Sequence, residues 1–230
     1  MHQITKFSQI RGISYSPVEF SFVGMSANRA NTINIPAGKA STDMCFHLSH
    51  AQAVSSISHA IPAGFTNLAN SYGVNGSFEN RWALSYKELT GSENTIQGIQ
   101  HVNCSEAVIV VRKTGGSWKT PVFTLLGGIL DDSNSLANNG IHNIAESPSI
   151  LIGFGVNMNP TTNSTYNSFL MTPQTGSIAN TTGVSSCSLT GGYLIQNSIS
   201  NLTVNVDAAN PAVNASAFCS HLISIELGAI

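Results

Sequence analysis

Hydrophobic and polar residues alternate with a period of two along most of this chain, which marks β-strands, whose side chains point to opposite faces in turn. The clearest run is Arg81-Trp82-Ala83-Leu84-Ser85-Tyr86-Lys87-Glu88-Leu89. Trp82, Leu84 and Tyr86 share one side, and Arg81, Ser85 and Lys87 share the other. The pattern predicts a half-buried antiparallel strand with one face in a core and the other in water. Ser149 to Met158 alternates over its whole length, with Ile150, Ile152, Phe154, Val156 and Met158 on one face and Gly153 and Gly155 opposite. Ser41 to His50 and Phe218 to Leu227 alternate in the same way. Ala107–Val111 is apolar on both faces and belongs in the middle of a sheet.

Shorter strands are expected at Glu19–Val23, Asn31–Ile35, around Phe65 and Leu68, and at Val184–Leu189, Tyr193–Ile199 and Leu202–Val206. Asn75-Gly76 suits a tight hairpin turn. Two stretches break the pattern. Residues 127–148, with Gly127-Gly128, Asp131-Asp132 and Asn138-Asn139-Gly140, predict a long ordered loop with a helical turn near Ser133–Ala137. Residues 159–183 predict a second polar loop. Residues 1–17, without a clear period, predict an N-terminal arm. No internal repeat, heptad seam or collagen triplet is visible. Ten or more short strands and almost no helical period predict an all-β fold. The expectation is one antiparallel two-sheet sandwich over residues 18–230, jelly-roll-like, with long polar loops.

Composition supports the strands and removes several functions. Only 9% of residues are charged, while Asn, Ser and Thr make up 72 of 230; these suit turns and exposed strand faces better than helices. Net charge is −2, and the nine Lys and Arg are scattered, so nothing offers a phosphate backbone a basic stripe. Nucleic acid is therefore not expected as a partner. Low net charge weakens mutual repulsion and favours life inside an assembly. Met1-His2-Gln3-Ile4-Thr5-Lys6 lacks the apolar core of a signal peptide, and no run reaches transmembrane length. Cys45, Cys104, Cys187 and Cys219 are widely spread and read as buried thiols, with disulfide pairing as the alternative.

Candidate chemistry is sparse. His47 and His50 fall on opposite faces of one strand, and no zinc spacing occurs, so no metal or cofactor is expected. Gly24-Met25-Ser26-Ala27-Asn28 lacks the closing Gly of a nucleophile elbow. Gly115-Gly116-Ser117-Trp118-Lys119 lacks Walker spacing. Asp131-Asp132 reads as a solvated turn, with half of an acid pair or part of a calcium ligand set as the alternatives. A glycan-degrading enzyme would need two acids facing each other across a cleft, from Glu79, Glu88, Asp131 and Asp132. The residues singled out for surface contact are Lys6 and Arg11 on the arm, and Trp118, Tyr166 and Tyr193 at loop tips.

Three stretches together resemble a β-sandwich domain of bacteriophage virion proteins, of the tail, minor structural or head-decoration type. They are Pro62-Ala63-Gly64-Phe65-Thr66, the Arg81–Glu93 stretch with Tyr86-Lys87 and Gly91-Ser92-Glu93, and the closing Ile223-Ser224-Ile225-Glu226. In that domain a Pro-x-Gly-aromatic-Thr turn precedes a strand with an aromatic-Lys pair and a following Gly-Ser/Thr-Glu. The likeness spans about residues 18–230, and the polar loops at 127–148 and 159–183 depart from it. It implies a non-enzymatic virion structural protein, made in the host bacterial cytoplasm and displayed on the particle. A fibre normally carries a shaft or coiled-coil trimeriser, so its absence favours a head decoration or cement protein. Expected partners are the major capsid protein or tail components and further copies of the chain, with a trimer as one assembly. The alternative is a tail or fibre-associated adhesin that binds host glycans. The family offers no catalytic residues.

Overall fold

The structure, a computed structural model, describes residues 17–28, 32–53, 61–75, 78–98, 104–130, 137–145, 148–158, 165–166, 172–179, 187–196, 203–209 and 219–230. Among these residues every regular element is a strand. The first half of the chain contributes β1 (Glu19–Asn28), β2 (Thr32–Asn34), β3 (Met44–Ala53), β4 (Thr66–Asn75), β5 (Phe78–Glu88), β6 (Thr95–Gln97) and β7 (Cys104–Thr114). The second half contributes β8 (Val122–Leu130), β9 (Ala137–Asn143), β10 (Ser149–Met158), β11 (Thr165–Tyr166), β12 (Thr172–Ala179), β13 (Cys187–Gln196), β14 (Thr203–Ala209) and β15 (Cys219–Gly228).

Two five-stranded sheets, antiparallel throughout, pack face to face. One has the order β1-β7-β3-β5-β4 and the other β12-β13-β10-β15-β8. The even period of the strands aims one set of side chains from each sheet into the space between them. Phe20, Met44, Phe46, Leu48, Trp82, Leu84, Ile109 and Val111 come from the first sheet, and Ile150, Ile152, Phe154, Leu189, Ile223, Ile225 and Leu227 from the second. Trp82 packs on Phe123 across the sheets at 5.7 Å, and Phe22 stacks flat on Tyr193 at 4.4 Å. A Cβ at Gly191 would lie 3.0 Å from the Met25 sulfur and 3.2 Å from Ile109, so the missing side chain lets the sheets close there.

The strand orders reveal an internal duplication. Take the five long strands of each half in chain order: β1, β3, β4, β5, β7 and β8, β10, β12, β13, β15. Across the sheet, each half runs first, fifth, second, fourth, third. In each half, the short strand between the first and second pairs antiparallel with the one between the fourth and fifth: β2 with β6, and β14 with β9. The irregularities also correspond. Val23 is the extra residue that bulges β1 against β7, and Leu126 bulges β8 against β15. Register also slips along the third strand of both halves, β4 and β12. The sequence showed no repeat, and this finding corrects it. A jelly roll interleaves its strands between two sheets. Here residues 19–114 build one sheet and residues 122–228 the other, so the sandwich stands and the jelly-roll wiring does not follow.

Each sheet also carries a small outer layer, so the molecule has four layers. The β2–β6 ribbon covers the outer face of the first sheet, where Ile33, Ile35, Leu89 and Ile96 bury Cys45, Val108 and Val110. The β11-β14-β9 sheet covers the second. This explains a departure from the expected half-wet strand. The outward side of β5 does not simply face water, because Ala83 and Ser85 are buried there. Among the described residues the two stretches read as long loops are largely strand: Gly127–Leu130 completes β8, Ala137–Asn143 is β9, and β11 and β12 fall within 159–183. Their Asn, Gly and Thr content masked the strands, of which β9 and β11 lie in the outer layer and β8 and β12 at the two edges of the second sheet. The proposed helical turn falls mostly on residues 133–136, outside the described residues, and Ala137 is strand. Asn75 ends β4 paired with Phe78, and Gly76 of the expected turn lies outside the described residues.

Candidate functional site

The stretches that carry the virion likeness in the first half meet at one place on the outer face of the first sheet. The Phe65 amide donates to the Pro62 carbonyl at 3.0 Å and closes a turn. Gly64 sits at φ +78°, a conformation that favours glycine, beside the Lys87 stem. Lys87 leaves β5 on its outer face and pairs with Glu93 at 2.8 Å. Glu93 also accepts the Thr90 amide at 3.1 Å and the Gly91 amide at 3.0 Å. Gly91 (φ +91°) lets this loop press on the 40–41 backbone, where a Cβ would come within 2.9 Å of the Ser41 nitrogen. Partial burial works against ionisation of Glu93. The Lys87 hydrogen bond and the backbone amides outweigh it and hold the carboxyl at about 2. Glu93 is thus an anion at neutral pH around which residues 89–93 fold.

Beside this brace lies a cavity of about 140 Å³, lined by Ile35, Pro62, Phe65, Lys87, Glu93 and the β6 residues Thr95–Gln97. Small-molecule sites run from about 300 Å³ upward. This one has room for a side chain, and a whole sugar or cofactor exceeds it.

Two buried histidine–carboxylate pairs sit between each main sheet and its outer layer. His47 Nε2 lies 2.8 Å from Glu106 Oε2, and both side chains are almost fully enclosed. A Cβ on Gly98 would collide with the Glu106 carboxylate, so the ribbon needs glycine there to close over the pair. In the second half, His142 on β9 places Nδ1 2.7 Å from Ser224 Oγ and Nε2 3.2 Å from Glu226 Oε2. Glu226 also accepts the Ala145 amide at 3.0 Å. Ser, His and Glu are the constituents of a hydrolytic triad. Here Ser224 is fully buried beneath β9, so the geometry ties the outer layer to β15 and leaves no approach for a substrate carbonyl. Sequence reasoning missed both pairs, because strand alternation does not show which strands become neighbours, within a sheet for His47–Glu106 or across layers for His142–Glu226.

A third polar cluster braces one end of the sandwich. Arg112 grips the buried Asp43 with two bonds of 2.8 Å and donates to the Gly38 carbonyl at 2.8 Å. Hydrogen bonding to Asp43 raises the Arg112 pKa further above its ordinary value. Thr42, a non-glycine residue at φ +69°, is held by its amide bond to Leu89 and by the Trp118 indole, which donates to its carbonyl at 2.6 Å.

The residues singled out for surface contact fare differently. Trp118 is half-buried, with its N–H committed to Thr42, its ring 5.8 Å from Phe20 and the Lys113 ammonium 5.2 Å from its centre. Tyr193 is not at a loop tip; it lies in β13, stacked on Phe22 at the edge of the core. Tyr166 is in β11, with its side chain outside the described residues, as are Lys6 and Arg11 altogether. Asp131, Asp132 and the Glu79 side chain also lie outside them, and Glu88 is exposed. Cys45 is a free thiol, and burial pushes its pKa up. Among the described residues no group of three or more His, Cys, Asp or Glu could hold a metal, and no helix is long and apolar enough to cross a membrane. In comparisons with known proteins, no family model, curated protein or solved structure matches this chain.

Proposed function

We propose that the protein is a non-enzymatic structural component of a bacteriophage virion, displayed on the particle as a head decoration protein and assembled from several copies. One observation carries the reading. Among the described residues, the polar clusters with enough geometry for chemistry are spent on bracing: His47–Glu106 and His142–Ser224–Glu226 lie sealed between layers, and Lys87–Glu93 and Asp43–Arg112 fasten loops. Such a block acts through the surfaces it presents. The meeting of Pro62–Phe65, Lys87 and Glu93 at one brace also gives the family likeness a physical basis, since those residues support one another in space. Tail adhesion through a glycan has less support, because the cavity is smaller than a sugar site and Trp118 is already engaged. Gold-labelled antibody on intact particles tests the proposal. Label spread over the head is expected; label confined to the tail overturns the head assignment, and particles without label overturn the virion reading.

A further inference from the structure

The duplication supplies an internal control for the edge strands. Around the matching bulges, Glu19-Phe20-Ser21-Phe22 of β1 corresponds to Val122-Phe123-Thr124-Leu125 of β8. In the first half the leading residue is an exposed glutamate, and Phe22 is covered by the Tyr193 ring of the other sheet. In the second half both positions are apolar and open: Val122 is 49% exposed and Leu125 46%. Val122 shares the outer face of the second sheet with Glu226, and Leu125 shares the inner face with Ile223. Exposure on both faces of one strand marks a free edge. β8 ends the order of its sheet, and its nine residues carry neither charge nor proline. Edge strands are ordinarily blunted by charge, proline or polar residues. The other three edges follow that rule: β1 opens on Glu19, β4 exposes Thr66, Asn67 and Asn70, and β12 holds Pro173.

We propose that the Val122–Leu125 edge is an interface, and that its occupant is the same edge of a second copy, paired antiparallel about a twofold axis at Thr124. Residues opposite each other in an antiparallel pair share a face, so β8 can meet itself only in registers that match inner with inner and outer with outer. Centred on Thr124, Phe123 of each copy meets Leu125 of the other on the inner face, and the two Thr124 side chains meet on the outer face. An aromatic ring beside an apolar chain, and Thr beside Thr, are favourable cross-strand pairs. The bulge at Leu126 lies just beyond, so Val122–Leu125 keeps a regular ladder for this pairing.

Self-complementarity favours a second copy over a foreign strand. The twofold makes each Phe123–Leu125 contact twice, and an uncharged strand meets itself without repulsion. Phe123 already rests on Trp82, so the pairing carries the core of one copy into the other. The same rotation turns the two outer sheets toward each other along β9, their edge strand beside β8, where Ile141 is 64% exposed. Backbone pairing supplies affinity, and the Phe123–Leu125 contacts supply register. This interface would serve the several copies proposed above. Self-association of the purified chain is measured without the particle, so the interface and the virion location fail separately.

The test uses the full-length chain carrying Thr124→Cys, mixed as heavy- and light-isotope protein and gently oxidised. A heavy–light disulfide joining position 124 of one copy to position 124 of the other is expected by mass spectrometry. In parallel, Leu125→Lys is expected to weaken self-association about a hundredfold by sedimentation velocity, since the twofold buries two uncompensated charges. Should that variant fold poorly, Val122→Glu, which gives β8 the charge that β1 carries at this position, is expected to weaken it about tenfold. Hydrogen exchange of the 122–125 amides should slow as concentration rises. A chain that stays monomeric up to millimolar concentration overturns the inference and leaves the edge to a different partner. Disulfides from position 124 only to other positions also overturn it, as does self-association indifferent to both charge variants.

Discussion

The two halves of this protein wind five strands in the same order, yet they differ in how the outer layer is fastened. In the first half the His47–Glu106 pair belongs to the main sheet on both sides, and the β2–β6 ribbon is held over it by Ile33, Ile35 and Ile96. In the second half His142 belongs to the outer layer itself and reaches down to Ser224 and Glu226. Strand order is therefore the shared property, and the means of attaching the cover is free to vary. The Pro62–Phe65 turn and the Lys87–Glu93 brace fasten the first half, and the equivalent segments of the second, just before β12 and just after β13, lie outside the described residues.

The largest expected effect tests whether the halves are one body. Trp82, from the first sheet, is 2% exposed and touches Phe123 of the second. Trp82→Ala should cost about 4 kcal/mol. Chemical denaturation followed by probes in each half should still show a single transition, because the core is shared. Two separated transitions would break that claim.

The next effect sharpens the difference between the covers. Glu226→Ala removes the acceptor for both His142 and the Ala145 amide and should cost about 3 kcal/mol. Hydrogen exchange should then accelerate over residues 141–145 first. Glu106→Ala leaves the apolar contacts of β2–β6 intact, so exchange at Ile33 and Ile96 should change little. Equal loosening of both covers would show that the halves are fastened alike. A smaller loss, about 2 kcal/mol, is expected for Asp43→Ala, since the Arg112 side chain is partly open to water and the buried acceptor goes with the substitution. It should appear as a lower denaturation midpoint with loosening at residues 38–43.

The smallest effect is the pH response of the first-half brace. Folding lowers the Glu93 carboxyl from 4.5 to about 2, so its contribution is complete above pH 4.5 and is lost as pH falls toward 2. Amide resonances of Thr90 and Gly91 should titrate in that window without global unfolding. A midpoint near 4.5 would show that the Lys87 pair and amide bonds do not act on Glu93.

The long strands were legible because burial on one face imposes alternation: Ser149–Met158 and the interior set Trp82, Leu84, Tyr86 match what the residues imply. Of the outer layers, β2 and β14 were legible as Asn31–Ile35 and Leu202–Val206, whereas β9 was not, because it is built from Asn, Gly, Ala and His around a single Ile. The repeat left only a faint trace. Phe20-Ser21-Phe22-Val23-Gly24 and Phe123-Thr124-Leu125-Leu126-Gly127 share a pattern around their equivalent bulges, and Thr66 faces Tyr86 as Thr172 faces Tyr193. Ladder order conserves these points, and side chains elsewhere can diverge without changing it. The brace was visible as motifs, but their meeting in space was not, since residues 62–65 and 87–93 join only through the β4–β5 pairing.

The central claim is that one five-strand order occurs twice, and cross-strand backbone contacts measured by NMR on isotope-labelled protein test it most directly. The account predicts contacts placing β7 between β1 and β3, and β15 between β8 and β10, with bulges at Val23 and Leu126. Contacts that pair β7 with β8, or that exchange strands between the two sheets, would contradict it.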